Sequence, residues 1–275
     1  MPYYHILNLD KEPFSTSPDP YFLYPSVSHQ QALHRLEITV RLKRGLSLIL
    51  GDVGTGKTTL ARDLLQTLNE DSGFISRMIF DPAYDSEFQF VTTLAKLFGI
   101  KANFRSALDY KDAIERFLFK KSVEGDNIVV LVIDEAQKLS TFSLEILRTL
   151  LNYETNEYKL LQLVIMGQME LLPRLKRIKN LSDRISLKYI LNPLDAHETK
   201  NMIAYRLKQA GCNSGKMLFT ERAIERIYEY TQGYPRRIAN LCHGALEELV
   251  MREKNIVEEE LIVEMIERDR KVGLN

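Results

Sequence analysis

The chain is poor in cysteine. Only Cys212 and Cys242 occur in 275 residues. They form no CxxC pair and match no zinc-ligand spacing, which excludes a disulfide framework and a thiolate metal site and leaves two ordinary reduced thiols. The five histidines form no HExxH or similar ligand pair, so no metal held by protein ligands alone is expected. Net charge is also absent: 37 Lys and Arg balance 37 Asp and Glu. That excludes the global basic footprint of a dedicated nucleic-acid binder, though not a local patch. Long apolar runs are missing too. The longest, IVVLVI at 128–133, falls well short of the roughly 18 residues that would span a bilayer. The opening MPYYHILNLDKEPF lacks the cationic start and apolar core of a signal peptide. The expectation is a soluble, cytoplasmic chain that does not itself insert into a membrane.

What is present is an ordinary globular balance, 45% apolar and 27% charged, in a length that allows one large domain or a medium one with a small one. Pro13, Pro18, Pro20 and Pro25 keep the first segment from regular helix. Its Phe14, Tyr21, Phe22 and Tyr24 predict an extended arm pinned by aromatics. A helix pattern follows at Ala32, Leu33, Leu36 and Val40. From Leu46 to Leu191 strands and helices alternate. Strands are expected at 46–50, 74–80, 128–133, 160–167 and 185–191, and helices at 57–68, 86–98, 107–121 and 143–152. Such alternation implies a mainly parallel sheet with helices on both faces. After Asn192-Pro193 only helices are expected, near 195–210, 220–231, 236–252 and 257–268. The expected organisation is an arm and first helix over 1–45, an α/β domain over 46–192 and an all-helical domain over 193–275.

GDVGTGKTT, from Gly51 through Asp52, Val53, Gly54, Thr55, Gly56, Lys57 and Thr58 to Thr59, fits the phosphate-loop pattern between an expected strand and an expected helix. Its glycines let the backbone curl so that successive N–H groups point at phosphate oxygens, and the following helix adds its positive end. Lys57 is expected on the β- and γ-phosphates and the Thr58 hydroxyl on Mg²⁺. The strand IVVLVI ends in Asp134-Glu135. Asp134 is expected to orient a Mg²⁺-bound water and Glu135 to act as general base on the attacking water. The expected strand at 74–80 and two helices lie between loop and acids along the chain, which predicts one strand between the two in the sheet, as in P-loop enzymes with an extra catalytic glutamate.

Phosphoryl transfer also needs donors aimed at developing charge. Gln168, just past the fourth strand, is expected beside the end of the third, either on the attacking water or the γ-phosphate or as a plain turn residue. RLKRIKNLSDR carries Arg174, Lys176, Arg177, Lys179 and Arg184. Arg184, just before the last strand, is placed to reach a neighbouring subunit's nucleotide, with Arg177 the alternative and a solvated basic turn the plainer reading. In TQGYPRRIANLC, Gly233 and Pro235 end one helix and start the next, which sets Arg236 in the first turn. A cation there opposes the helix dipole, so local stability does not explain it, whereas a phosphate would. Arg237 is expected on another face.

Taken together, GDVGTGKTT, VIDEAQ, MGQMEL, DRISLKYILNPLDAHET and GYPRRIANLC resemble the AAA+ ATPases. The opening PFSTSPDPYFLYPSVSHQQAL is similar to that of the general secretion pathway protein A (ExeA-type) family, over nearly the whole chain. The resemblance implies Walker A at Lys57 and Thr58, Walker B at Asp134 and Glu135, sensor 1 at Gln168, an arginine finger at Arg184, sensor 2 at Arg236, and an arm near the adenine. Many AAA+ proteins carry Asn as sensor 1. The resemblance also implies ATP rather than GTP, in keeping with the lack of an NKxD motif. The implied function is an oligomerising ATPase, ring or filament, that assembles or remodels a protein partner of a secretion or pilus system. A DNA-binding ATPase that regulates a transposase, with the basic stretch on duplex DNA, is the alternative. A nucleotide-gated switch with little turnover is a third reading, and Glu135 argues against it.

Overall fold

A computed structural model describes residues 2–101, 103–178, 180–212 and 217–272. The chain enters through a short helix α1 (Tyr3–Ile6) and a 3₁₀ turn (Pro20–Phe22) to α2 (Val27–Arg41). It continues through β1 (Leu46–Gly51), α3 (Lys57–Asn69), β2 (Phe74–Ile79), α4 (Glu87–Leu97) and α5 (Ala107–Phe119). Next come β3 (Ile128–Ile133), α6 (Thr141–Leu150), β4 (Leu161–Gly167), α7 (Leu171–Arg177) and β5 (Ile185–Leu191). The helices α8 (Ala196–Gln209), α9 (Glu221–Thr231), α10 (Pro235–Met251) and α11 (Glu259–Val272) complete it. Contacts divide the chain into two compact units. One holds residues up to Val27, Gly54–Thr59 and residues from Asn192 on; the other holds Ser28–Val53 and Leu60–Leu191. The arm thus groups with the C-terminal helices and the body of α2 with the sheet.

The sheet unit is five parallel strands in the order β2-β3-β4-β1-β5. One strand does separate β1 from β3, but it is β4; β2, which lies between them along the chain, forms an edge. The apolar run of β3 suits a strand covered on both faces. Leu131, Leu163 and Leu48 face α4, α5 and α6 on one side. Val130, Val164 and Ile49 face α2 and α3 on the other. The edge strand β5 alternates instead, with Ser186, Lys188 and Ile190 exposed. Helix starts follow capping chemistry: Ser86, Ser106 and Ser140 each accept a backbone N–H from the first turn of α4, α5 and α6. The seven-residue helix α7 occupies what the sequence suggested was an irregular basic stretch.

The helical unit has its own core, built from Met202, Ile227, Ile238, Leu246 and Ile262 of the four C-terminal helices together with Leu7, Leu9, Phe14 and Phe22 of the arm. Burying a Phe side chain contributes about 1.5–3 kcal/mol, and Phe14 is 1% exposed. The half-buried Arg206 of α8 donates to the carbonyls of Phe22 and Ser15 and so fastens the arm. Burial pulls its guanidinium below the usual arginine range. Of the four aromatics expected to pin the arm, Phe14 and Phe22 are buried, Tyr24 is half-buried and Tyr21 is exposed. Asp195 and Glu198 form a capping box at the start of α8.

Candidate functional site

Within the sheet unit the parallel strands bring their C-terminal ends to one edge. β1 ends there in Gly51 and runs on through exposed Asp52 and Val53. β3 ends there in Asp134, which is 2% exposed and donates its N–H to the Ile79 carbonyl at 2.9 Å. The Asp134 carboxylate accepts the Glu135 N–H at 2.9 Å. Glu135 sits at φ +49°, a left-handed conformation that is costly for a residue with a side chain. The sharp turn this makes at the half-buried Glu135 leads into a 3₁₀ turn, Ala136–Lys138.

Gln168 follows the tip of β4, which pairs directly with β3, so it stands beside the end of the third strand as expected. Its backbone N–H donates to Gln137 Oε1 at 3.2 Å, while Gln137 Nε2 donates to Glu135 Oε2 at 2.7 Å. Gln137 was not singled out in the sequence. Its only signal there is its place in DEAQ, two residues beyond Glu135. Arg174 of α7 donates to the backbone carbonyls of Gln137 and Leu139. Its guanidinium is therefore engaged inside the sheet unit, whereas Lys176 and Arg177 are exposed; Lys179 lies outside the described residues.

Arg184 stands elsewhere. It precedes a strand parallel to β1, which places it at the opposite edge of the sheet from Asp134, Glu135 and Gln168. Its guanidinium donates to Asn152 Oδ1 at 2.8 Å and to the Asn180 carbonyl.

Within the helical unit, Gly54–Thr59 meets the start of α10. Gly54 and Gly56 have φ of +84° and +95°, conformations that glycine adopts without steric cost. The Arg236 N–H donates to the Gly54 carbonyl at 3.2 Å, and a Cβ on Gly54 would lie 2.9 Å from Arg236 Cβ. Arg236 is thus held against the glycine loop by backbone. Gln232 in the left-handed region ends α9, and Pro235 opens α10. Arg237 points to another partner, with its guanidinium over the Tyr234 ring. Thr55 and Lys57 are buried, and Thr58 and Thr59 half-buried, at the N-terminal end of α3.

The donor set fits a hard cation only with outside help. Among the described residues no group of three or more His, Cys, Asp or Glu could hold a metal. Mg²⁺ characteristically takes one or two carboxylates, retained waters and the phosphates of a substrate, and within the sheet unit the buried Asp134 is a carboxylate of that kind. Burial pushes the Cys242 thiol up, away from reactivity. No helix among the described residues is long and apolar enough to cross a membrane.

A family described as an AAA domain matches residues 40–175. The chain is 36% identical, over 247 residues, to the general secretion pathway protein A of Aeromonas hydrophila, a match that covers 89% of this chain and 44% of that protein. It therefore spans less than half the length of the curated relative it matches. Among solved structures it is similar to Cdc6p from Pyrobaculum aerophilum, with a TM-score of 0.69, 18% identity, and 90% of this chain and 68% of that one covered. It is also similar to the Aeropyrum pernix ORC1 protein in complex with DNA, with a TM-score of 0.66, 21% identity, and 94% and 70% covered. The Thermotoga maritima RuvB branch migration motor gives a TM-score of 0.57 at 15% identity, with 86% and 68% covered. At these identities the solved structures speak for the fold alone. The chain belongs to the AAA+ ATPase family of the general secretion pathway protein A type.

Proposed function

We propose that this chain binds ATP with Mg²⁺, hydrolyses it to ADP and phosphate, and couples turnover to self-association and to assembly or remodelling of a partner complex of the secretion or pilus-biogenesis kind. The observation that carries the reading is the shared edge of the sheet, where β1 leads into the glycine loop and β3 ends in Asp134-Glu135. The proposed organisation is one ATPase module made of an arm and first helix over 1–45, a nucleotide-binding domain over 46–192 and a helical lid over 193–275. Gly51 to Thr59 would wrap the phosphates through backbone N–H groups, with Lys57 on the β- and γ-oxygens. Thr58 and Asp134 would hold Mg²⁺, which supplies charge neutralisation on the phosphate oxygens. Glu135 would take the proton of the attacking water, Gln168 would orient that water, and Arg236 would meet the γ-phosphate. The edge on which Arg184 lies supports its action on a neighbouring subunit's nucleotide and speaks against action on its own. We place the chain in the cytoplasm.

The second reading, a DNA-stimulated regulator of a DNA machine, draws on the exposed Lys176 and Arg177 at the end of α7. Engagement of Arg174 inside the sheet unit leaves that patch smaller than the sequence suggested.

ATP turnover across protein concentrations, with and without duplex DNA and with mass read by light scattering, tests both. Turnover per subunit that rises with mass and ignores DNA supports the assembly ATPase. Turnover and mass that rise with DNA, and fall steeply with salt, support the second reading. No turnover with Mg²⁺ at any concentration overturns both in favour of a switch. Lys57→Ala should weaken ATP binding about tenfold or more, the scale of a charge-assisted contact; undiminished binding in a fluorescent-nucleotide titration would contradict the site.

A further inference from the structure

The network around the Glu135 carboxylate assigns a role to a residue outside the motif positions. We infer that Gln137 is a positioning residue: its side-chain amide ties the carboxylate of Glu135 to the backbone at the tip of β4. The inference rests on the ATPase reading for its consequence in turnover, but not for the bridge itself.

The hydrogen-bond chemistry leaves one arrangement. The Gln168 backbone N–H can only donate, so Gln137 must face it with its carbonyl oxygen, and the distance is 3.2 Å. The amide nitrogen is then turned to Glu135, whose carboxylate can only accept, at 2.7 Å. Exchanging Gln137 oxygen and nitrogen would set donor against donor and acceptor against acceptor. The backbone of Gln137 is itself anchored, because Arg174 grips its carbonyl together with that of Leu139. Space is tight on the far side: a Cβ on Gly167 would lie 3.3 Å from Gln137 Oε1.

The bridge has a mechanical meaning. Glu135 is held at φ +49° on a turn whose side chain would otherwise sample several rotamers. A general base must sit within hydrogen-bond reach of its proton, and small misplacements are costly. The tether limits the carboxylate to one orientation. It also makes that orientation depend on the β4 tip, the segment that carries Gln168. A shift of Gln168 on meeting a ligand would therefore move or release Glu135 directly, through one side chain.

The test uses Gln137→Met, which keeps length and volume and removes both hydrogen bonds. Turnover should fall about tenfold or more, on the scale of a lost hydrogen bond to a charged group. The KM for ATP should stay within about twofold, as expected for a group that acts on the chemical step. In a Glu135→Gln background the same substitution should change the residual rate by less than about twofold, since the group it positions has been removed. The ¹⁵N-detected exchange of the Gln168 amide should quicken in Gln137→Met while the amides within β4 keep their rates. Wild-type turnover in Gln137→Met, or losses that multiply in the double variant, would overturn the positioning role. An unchanged Gln168 amide would overturn the bridge. If the parent chain shows no turnover, the ATPase reading fails separately and amide exchange alone decides the bridge.

Discussion

The candidate residues of the sheet unit and those of the helical unit are held in different ways. In the sheet unit, the proposed chemistry falls to side chains at strand tips: Asp134, Glu135 and Gln168 follow ends whose backbone is already secured by parallel ladders. In the helical unit, position is set by backbone. Gly54 gives up its carbonyl to the Arg236 N–H, and Gly233 passes so close to Leu194 that an added Cβ would lie 1.8 Å from the Leu194 carbonyl oxygen. The lesson is that substitutions at the strand tips should cost activity and spare stability, whereas the turn before Arg236 should cost stability first.

Gly233→Ala is the severest test of that contrast. With φ at +74° and a backbone oxygen in the way, it should lose about 3 kcal/mol or more in denaturant unfolding. An unchanged midpoint would remove the backbone argument. Glu135→Gln comes next. Turnover should drop about 100-fold with ATP binding intact and stability within about 0.5 kcal/mol of the parent. A large stability loss would erase the distinction between the units.

Arg184→Ala sharpens the comparison inside the sheet unit, because Arg184 lies at the opposite edge. Activity should fall about tenfold while each subunit still binds ATP. Mixing with Glu135→Gln subunits should restore part of it, and no restoration at any ratio would point to a role within one chain.

The smallest effect concerns Glu248, which joins α10 to α11 through Arg268 and to Arg252. The Arg268 hydrogen bond, then that of Arg252, holds its carboxyl below the ordinary value of 4.5. A lowered folded pKa stabilises fully above the unfolded value, and this is lost as pH falls through the folded one. Glu248→Gln should lower the melting temperature by about 1–2 °C near neutral pH. That difference should fade as pH falls through the lowered pKa of the folded state; a difference that persists in strong acid would deny the ion-pair origin.

Much of the fold was legible because periodicity and punctuation are local. The apolar run of β3 and the Gly233–Pro235 break each act within a few residues, and the elements lie where these signals put them. α7 was missed because a short helix closed by Arg174, Lys176 and Arg177 reads as a basic loop when the partner of Arg174 is not known. Strand order was half legible. One strand was expected between β1 and β3 because the strand at 74–80 lies between them along the chain, but the strand there is β4 and 74–79 forms an edge, since which crossover packs where is not encoded locally.

The sequence by itself determined the chemistry: a glycine loop that can turn its N–H groups inward, two acids at the end of an apolar strand, and an arginine set just inside a helix start. These depend on residue type and spacing, which act over short distances. Only the tertiary structure decided that Gln137 bridges Glu135 to the Gln168 backbone, that Arg174 holds loop carbonyls, that Arg184 lies at the far edge of the sheet, and that the arm joins the helical core through Phe14, Phe22 and Arg206. Each joins residues through packing and hydrogen bonds whose partners are set by strand order and core burial, which local spacing does not encode.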